Sequence, residues 1–188
     1  MLEPRHFDHV ASLLRRGAPE RDIAASVGTI RAELNPHPAG QRELNVPRLS
    51  DGEVVAGLQH KYRETVLFFP SQGQTCHSYC SFCFRWAQFV GDKTLRFASN
   101  EASRLHDYLR QHREVSDLLV TGGDPMVMKS RHLAAYLEPL LRPEFDHIQT
   151  VRIGTKALTF WPFRLLTARD CDELLGLFER HVSGGKHV

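Results

Sequence analysis

Three cysteines, Cys76, Cys80 and Cys83, stand close together in the stretch CHSYCSFC. Thiols this crowded indicate a metal site in a reducing compartment, because a disulfide framework spreads more cysteines, in pairs, through a smaller chain. A structural zinc ion needs a closed tetrahedral set, so it would take His77 or a distant histidine as fourth ligand. Three thiolates on a [4Fe-4S] cluster leave one iron open to an exogenous molecule, as a catalytic cluster requires. The spacing favours this open cluster over zinc and over three unrelated core cysteines.

The segment TGGDP, Thr121 to Pro125, is a second candidate motif. Taken alone it is a weak signal, because Gly-Gly followed by Asp-Pro is also ordinary turn chemistry. Its place at the end of an apolar run adds weight, since glycines let backbone approach a ligand closely and their carbonyls can accept hydrogen bonds from an ammonium group. We therefore treat it as a candidate ligand-binding turn.

The elements that must position these motifs are three predicted strands, ETVLFF at 64–69, SDLLVT at 116–121 and HIQTVRIG at 147–154. Helical stretches between them predict right-handed crossovers and a parallel sheet. Loops that leave the carboxyl ends of parallel strands converge on one face. The cysteine loop, TGGDP and RIGTK should therefore meet at one edge of the sheet.

Helices are predicted where apolar residues recur at helical spacing. Two open the chain, at 7–16 and 19–34, and a Pro- and Gly-rich loop at 35–52 follows them. Three later helices are predicted from their apolar faces. The first has Ala102, Leu105 and Leu109 behind a Ser99 cap, and the second has Leu133, Tyr136, Leu137 and Leu140 behind a Ser130 cap. The third, over 168–181, has Cys171, Leu174, Leu175 and Phe178 on one face. Cys171 is thus predicted to belong to the core rather than to a metal site.

The predicted fold class is α/β, a partial parallel (β/α) barrel with an N-terminal helical extension. We place the extension at 1–52 and the barrel at 53–188, where three βα units are followed by the start of a further strand at GGKHV. A closed eightfold barrel takes about 250 residues. The pattern therefore predicts a chain that stops partway round, with an open sheet edge prone to association and a homo-oligomer among the possible states.

The motifs resemble a known family. CxxxCxxC with Phe82 before the last cysteine resembles the signature of radical S-adenosylmethionine (SAM) enzymes, whose open iron chelates the amino and carboxylate groups of SAM. TGGDP resembles the motif that holds the SAM amino group. The chain resembles the lysine 2,3-aminomutase-like branch over roughly residues 35–188. The stretches that carry this resemblance are GLQHKYRETVLFF, CHSYCSFCFR, LLVTGGDPMVM and VRIGTK.

The resemblance implies a role for each matching residue. Cys76, Cys80 and Cys83 would hold the cluster, and Arg85 would meet a substrate carboxylate, for which a planar guanidinium fork is suited. The residues implied for the SAM site are Phe82, Thr121, Gly122, Gly123, Asp124, Arg152 and Thr155. For Arg152, pairing with a structural carboxylate is an equal alternative.

The resemblance implies a radical SAM isomerase that moves an amino group between adjacent carbons of an amino acid. A separate electron donor would reduce the enzyme. In the aminomutases a lysine in a C-terminal part, which has no counterpart here, binds pyridoxal phosphate. Lys156 and Lys186 are interpreted instead as solvated side chains. Three alternatives stay open: a relative without pyridoxal phosphate that acts on another substrate, such as a lysine of a protein; a non-catalytic metal-binding module; and a truncated product.

Composition bounds the partners. Among 188 residues the formal net charge is +2, and no long run of one sign would track a phosphate backbone. The charged start MLEPRHFDHV has no apolar signal region, and apolar stretches such as VLFF are far too short to span a bilayer. We therefore expect a cytoplasmic protein without nucleic-acid or membrane partners.

Overall fold

The computed structural model describes residues 3–34, 43–78, 80, 83, 85–86 and 96–188. Residues 3–34 with Cys80 and Cys83 form one compact unit, and residues 43–78, 85–86 and 96–188 form another. Within the described ranges, no helix has both the length and the apolar character needed to cross a membrane. The division of the chain at residue 52 stays a prediction.

The first unit contains the two predicted N-terminal helices, α1 (Pro4–Arg15) and α2 (Glu20–Leu34). Pro4 suits the first turn of α1, where its missing N–H would have no partner within the helix. The backbone N–H of Glu3 donates to Nδ1 of the buried His6 over 2.9 Å, which caps that end. The ring of His9 and the hydroxyl of Ser26 lie 2.7 Å apart and join the two helices.

The second unit is built on a four-stranded sheet in the order β1 (Leu58–Tyr62), β2 (Thr65–Phe68), β3 (Asp117–Val120) and β4 (Thr150–Ile153). Strands β2, β3 and β4 are parallel, which confirms the three predicted strands and their direction. Strand β1 pairs antiparallel with β2 and was not predicted. Its sequence LQHKY has no clear alternation of apolar and polar residues, and in the fold only Leu58 is fully buried.

In the described part of this unit, five helices accompany the sheet, and the three longest bury several apolar residues in its core. The five are α3 (Ala102–Gln111), α4 (Ser130–Leu137), two short helices α5 (Ala157–Phe160) and α6 (Phe163–Leu166), and α7 (Cys171–Ser183). The buried Cys171 confirms its predicted place in the core. Leu175 was predicted on the buried face of α7 but is exposed, because the buried row runs through Leu174 and Leu177 instead.

Both predicted serine caps differ from the observed ones. The N-cap of α3 is Glu101, whose backbone N–H donates to the hydroxyl of Ser99 over 3.1 Å. Ser130 is the first residue of α4, and its backbone N–H donates to Asp170 Oδ2 over 2.6 Å. The carboxylate of Asp170, forty residues away in sequence, therefore satisfies the first N–H of α4, and Ser130 begins the helix instead of capping it.

Lys186 was interpreted as a solvated side chain, and the structure corrects this. Its side chain is buried, and its ammonium group donates to the carbonyls of Phe145 and Ile148 over 3.1 and 2.5 Å. Burial lowers the pKa of Lys186 below its ordinary value. The predicted further strand at 184–188 is present as a single parallel bridge between His187 and Thr150.

The free energy of unfolding should fall as the pH drops through about 6.5, the ordinary pKa of histidine. His106 is buried beside α4, with Nε2 2.9 Å from the carbonyl of Tyr136, and burial lowers its pKa. The unfolded chain therefore binds this proton more readily, so acid favours unfolding until the pH passes the lower folded-state pKa.

Urea unfolding at several pH values tests this contribution. His106→Gln keeps an amide that can donate to Tyr136 but cannot titrate, so its stability should fall less on acidification than that of the unsubstituted chain. An equal fall in both proteins would show that His106 does not contribute.

Candidate functional site

Three loops leave one edge of the parallel sheet. The strands β2, β3 and β4 end in register at Phe68, Val120 and Ile153. The loops that follow contain residues 69–78, Thr121 with the GGD segment, and Gly154 with Thr155 and Lys156. The predicted convergence of these loops on one edge is confirmed.

The two glycines of the GGD segment lie where the β3 loop meets the β2 loop. A Cβ on Gly122, whose φ is +144°, would overlap the side-chain amide of Gln74. A Cβ on Gly123 would lie 2.6 Å from the carbonyl carbon of Thr75, well inside ordinary contact distance. Glycine is needed here because backbone and side chain of the β2 loop occupy the space where a Cβ would be.

Asp124 connects all three loops. Its backbone N–H donates to the carbonyl of Thr75 over 2.7 Å. Its buried carboxylate accepts hydrogen bonds from the Met126 N–H at 2.9 Å, the Thr155 hydroxyl at 2.7 Å and the Lys156 N–H at 2.8 Å. The loops after β3 and β4 are thus joined through one carboxylate.

His77 follows the first cysteine and reaches the same carboxylate. Its Nε2 lies 3.2 Å from Asp124 Oδ2, although the ring N–H is not aligned for a hydrogen bond in the described part of the chain. Its ring meets the ring of Trp161 edge to face, with 5.6 Å between centroids. Sequence reasoning considered His77 only as a zinc ligand and Trp161 not at all as a partner of the cysteine loop.

Two further polar side chains border the GGD segment. Gln74 is buried; its amide nitrogen donates to the Pro70 carbonyl over 2.8 Å, while its Oε1 is buried without a hydrogen-bond partner among the described residues. Arg85 donates from Nη1 to the hydroxyl of the buried Thr121 over 2.9 Å, and its guanidinium lies 4.9 Å from the ring centroid of Phe69. The role of Arg85 toward a substrate carboxylate stays a prediction.

Cys76, Cys80 and Cys83 form no disulfide and are half-buried. Cys76 belongs to the second compact unit, where its sulfur accepts from the Ser78 N–H over 3.4 Å, whereas Cys80 and Cys83 belong to the first. Among the described residues, no three His, Cys, Asp or Glu side chains are grouped closely enough to hold a metal ion. As a donor set, three cysteine thiols with a backbone N–H directed at one sulfur suit iron, because iron–sulfur clusters are ligated by thiolates and tuned by such bonds.

The remaining predicted site residues are placed differently from one another. Thr155 lies at the carboxyl edge of β4 and bonds Asp124. Arg152 forms a bidentate ion pair with Asp117, with Nε 2.9 Å from Oδ1, so the structure has the carboxylate pairing that the sequence left as an alternative. Phe82 lies outside the described residues.

Known proteins similar to this chain include several that carry the name of a 2,3-aminomutase. No family model matches the chain. A putative L-lysine 2,3-aminomutase from Aquifex aeolicus is 39% identical over 125 residues, 66% of this chain and 31% of the relative. L-lysine 2,3-aminomutase from Bacillus subtilis is 31% identical over 111 residues, which are 59% of this chain and 22% of the relative.

Glutamate 2,3-aminomutase from Clostridioides difficile is also similar, with 33% identity over 90 residues, 48% of this chain and 21% of the relative. The chain thus spans about a third or less of the length of the curated relatives it matches.

Proposed function

The chain belongs to the lysine 2,3-aminomutase-like branch of the radical SAM proteins, and on that premise we propose that it binds a [4Fe-4S] cluster through Cys76, Cys80 and Cys83 and cleaves SAM reductively. When bound, the cluster and SAM together would supply a 5′-deoxyadenosyl radical that abstracts hydrogen from a substrate. The residues of the chain supply binding, orientation and exclusion of water.

The observation that carries the proposal is the interlocking of the GGD segment with the residues that lead into Cys76. The backbone of Gly123 packs on Thr75, and the Asp124 N–H donates to the Thr75 carbonyl over 2.7 Å. A SAM molecule chelated at an open iron has to reach both the cluster and the groups that hold its amino end. The geometry keeps the first cysteine of the loop beside the candidate amino-binding segment, as this chemistry requires.

Thr121, Gly122, Gly123 and Thr155 are the residues that we propose to lie along SAM. Thr121 and Gly122 are buried, and Gly122 adopts a φ of +144° that few other residues share. Backbone carbonyls held in such a segment can accept hydrogen bonds from an ammonium group without a side chain in the way. The ion pair of Arg152 with Asp117 supports a structural role for Arg152 instead.

We extend the proposal to an isomerase that moves an amino group between adjacent carbons, because relatives include lysine and glutamate 2,3-aminomutases. The proposed substrate class is a small amino acid, the reaction needs a reducing electron donor, and pyridoxal phosphate is a further proposed cofactor. A partial barrel of the radical SAM type is the proposed architecture, and the mostly parallel sheet supports it.

Electron paramagnetic resonance tests the cluster and SAM together. After anaerobic reconstitution with iron and sulfide, the reduced chain should give a [4Fe-4S] signal, and SAM should shift that signal because it binds the open iron directly. Cys80→Ala should abolish the signal, since two thiolates cannot hold the cluster in its three-cysteine form.

Cys171→Ala is the matched control. Like the other three cysteines it forms no disulfide, but it packs in α7 at the core, so this variant should keep both the signal and its shift. A signal that ignores SAM, or one that survives in Cys80→Ala, would contradict the proposal and favour a structural metal site.

A further inference from the structure

We propose that His77 and Asp124 form a positioning pair that fixes the Cys76 segment against the backbone of Gly122 and Gly123. The consequence of this pair for SAM binding rests on the function proposed above. Neither the resemblance nor any relative assigns a role to His77.

The first step is that the Asp124 carboxylate is already committed to three hydrogen bonds with the loops around it. An ionised carboxylate offers about four lone-pair sites, two on each oxygen. Oδ1 accepts from the Met126 N–H and the Thr155 hydroxyl, and Oδ2 accepts from the Lys156 N–H. His77 Nε2 lies 3.2 Å from Oδ2, close enough for an electrostatic contact with that oxygen. The side chain of Asp124 therefore acts on the loops around it, whatever it contributes to a ligand.

The second step is that the residues around His77 orient its ring so that Nε2 faces the Asp124 carboxylate. Nε2 is buried and has no aligned hydrogen-bond partner in the described part of the chain, and an unpaired buried N–H is costly. Nδ1 lies 3.3 Å from the Ser78 hydroxyl, and the ring packs edge to face against Trp161. The ring is thus held in one orientation, with Nε2 beside the carboxylate.

The third step links the pair to the cluster loop. Cys76 lies between Thr75, whose carbonyl accepts from the Asp124 N–H, and His77, whose ring contacts the Asp124 side chain. The cysteine is therefore held on both sides by one residue of the β3 loop. Loss of the His77 contact should leave Cys76 attached on one side only.

Amide hydrogen exchange of the chain without iron tests the pair directly. His77→Leu keeps an apolar side chain of similar size but removes the contact with the carboxylate. The Asp124 amide, which donates to Thr75, should then exchange about tenfold faster, while the Leu118 amide within β3 stays protected and reports an intact fold. An unchanged Asp124 amide in this variant would overturn the proposal.

Conservative variants separate positioning from general packing. The amide nitrogen of His77→Gln can occupy the place of Nε2, so this variant should restore Asp124 protection, whereas His77→Asn reaches only the place of Nδ1 and should behave like His77→Leu. His187→Leu, at an exposed histidine of the same unit, should leave the Asp124 amide unchanged. Failure of Gln to restore protection when Leu removes it would mean that bulk alone matters, and the pair would be rejected.

The reconstituted chain provides the second readout. His77→Leu should bind iron to the same content but require about tenfold more SAM to shift the resonance signal, and His77→Gln should recover most of the affinity. If the unsubstituted chain takes up a cluster that ignores SAM, the proposed function fails and the exchange result alone decides on the pair. If SAM shifts the signal of His77→Leu at unchanged concentration, the role of the pair in SAM binding is overturned while the proposed function stands.

Discussion

Replacing Arg164 by methionine should lower the free energy of unfolding by about 3 kcal/mol, because removal of one partner leaves buried polar groups uncompensated. Arg164 is 2% exposed. Its guanidinium donates to the carbonyls of Met126 and Met128 over 2.9 and 3.0 Å and pairs with Asp170, with Nη1 3.0 Å from Oδ1. Methionine fills the volume but satisfies none of these acceptors.

Arg152→Met is the matched control for this prediction. Arg152 also forms a bidentate pair with an aspartate, Asp117, but half of its side chain is exposed. Exposed pairs contribute less than about 1 kcal/mol. Urea unfolding of both variants therefore compares two arginine pairs that differ mainly in burial, and an equal cost for the two would contradict a special role for Arg164.

The consequence of Arg164 extends to the candidate site. The two carbonyls that it holds belong to the segment directly after Asp124, and Asp170 also accepts the first N–H of α4. Loosening this segment should increase exchange of the Met126 amide, which donates to Asp124. The stability of the core and the order of the GGD loop are therefore coupled through one buried cation.

The parallel part of the sheet could be predicted from sequence because its signal is local. Each of the strands β2, β3 and β4 is a short apolar run followed by a turn, and parallel topology alone brings their carboxyl ends together. Strand β1 could not be found in this way, since it is stabilised by antiparallel pairing with β2 rather than by burial of alternate residues.

Buried charges escaped prediction for a different reason. Arg164 and Lys186 are buried because carbonyls 36 to 41 residues away in sequence accept their hydrogen bonds. A sequence window around either residue contains no sign of these acceptors, so a solvated side chain is the natural expectation. Only the folded chain shows that each cation donates hydrogen bonds to backbone carbonyls that are distant in sequence.

The candidate site was predictable in its members but not in their connections. The cysteines, TGGDP and RIGTK were found from residue types and spacing, yet the sequence gives no indication that Asp124 bonds Thr155 or approaches His77, 31 and 47 residues away. The glycines were expected to make room for a ligand. The structure shows a further reason for them, because Gln74 and Thr75 occupy the space beside their Cα atoms.

Gly123→Ala should therefore lower the free energy of unfolding by about 3 kcal/mol, a large value for the addition of one methyl group. The new Cβ would meet three backbone atoms of Thr75, among them N at 2.7 Å and the carbonyl carbon at 2.6 Å. Backbone cannot rotate aside as the end of a flexible side chain can. The β2 loop must instead move away, which breaks the hydrogen bond from the Asp124 N–H to Thr75.

Gly176→Ala provides the comparison, because it adds the same methyl group within α7, where the nearest atom is the side-chain Nη1 of Arg180 at 3.5 Å. There the change should be neutral or stabilising by about 0.5 to 1 kcal/mol, since alanine favours the helix. Urea unfolding measures both changes, and amide exchange at Asp124 reports whether the loop has moved. Because Cys76 directly follows Thr75, displacement of the loop should also reduce the SAM-induced shift of the cluster signal. A Gly123→Ala chain as stable as the unsubstituted one, with a protected Asp124 amide, would show that the two loops are not held in the close contact from which the proposed SAM site is built.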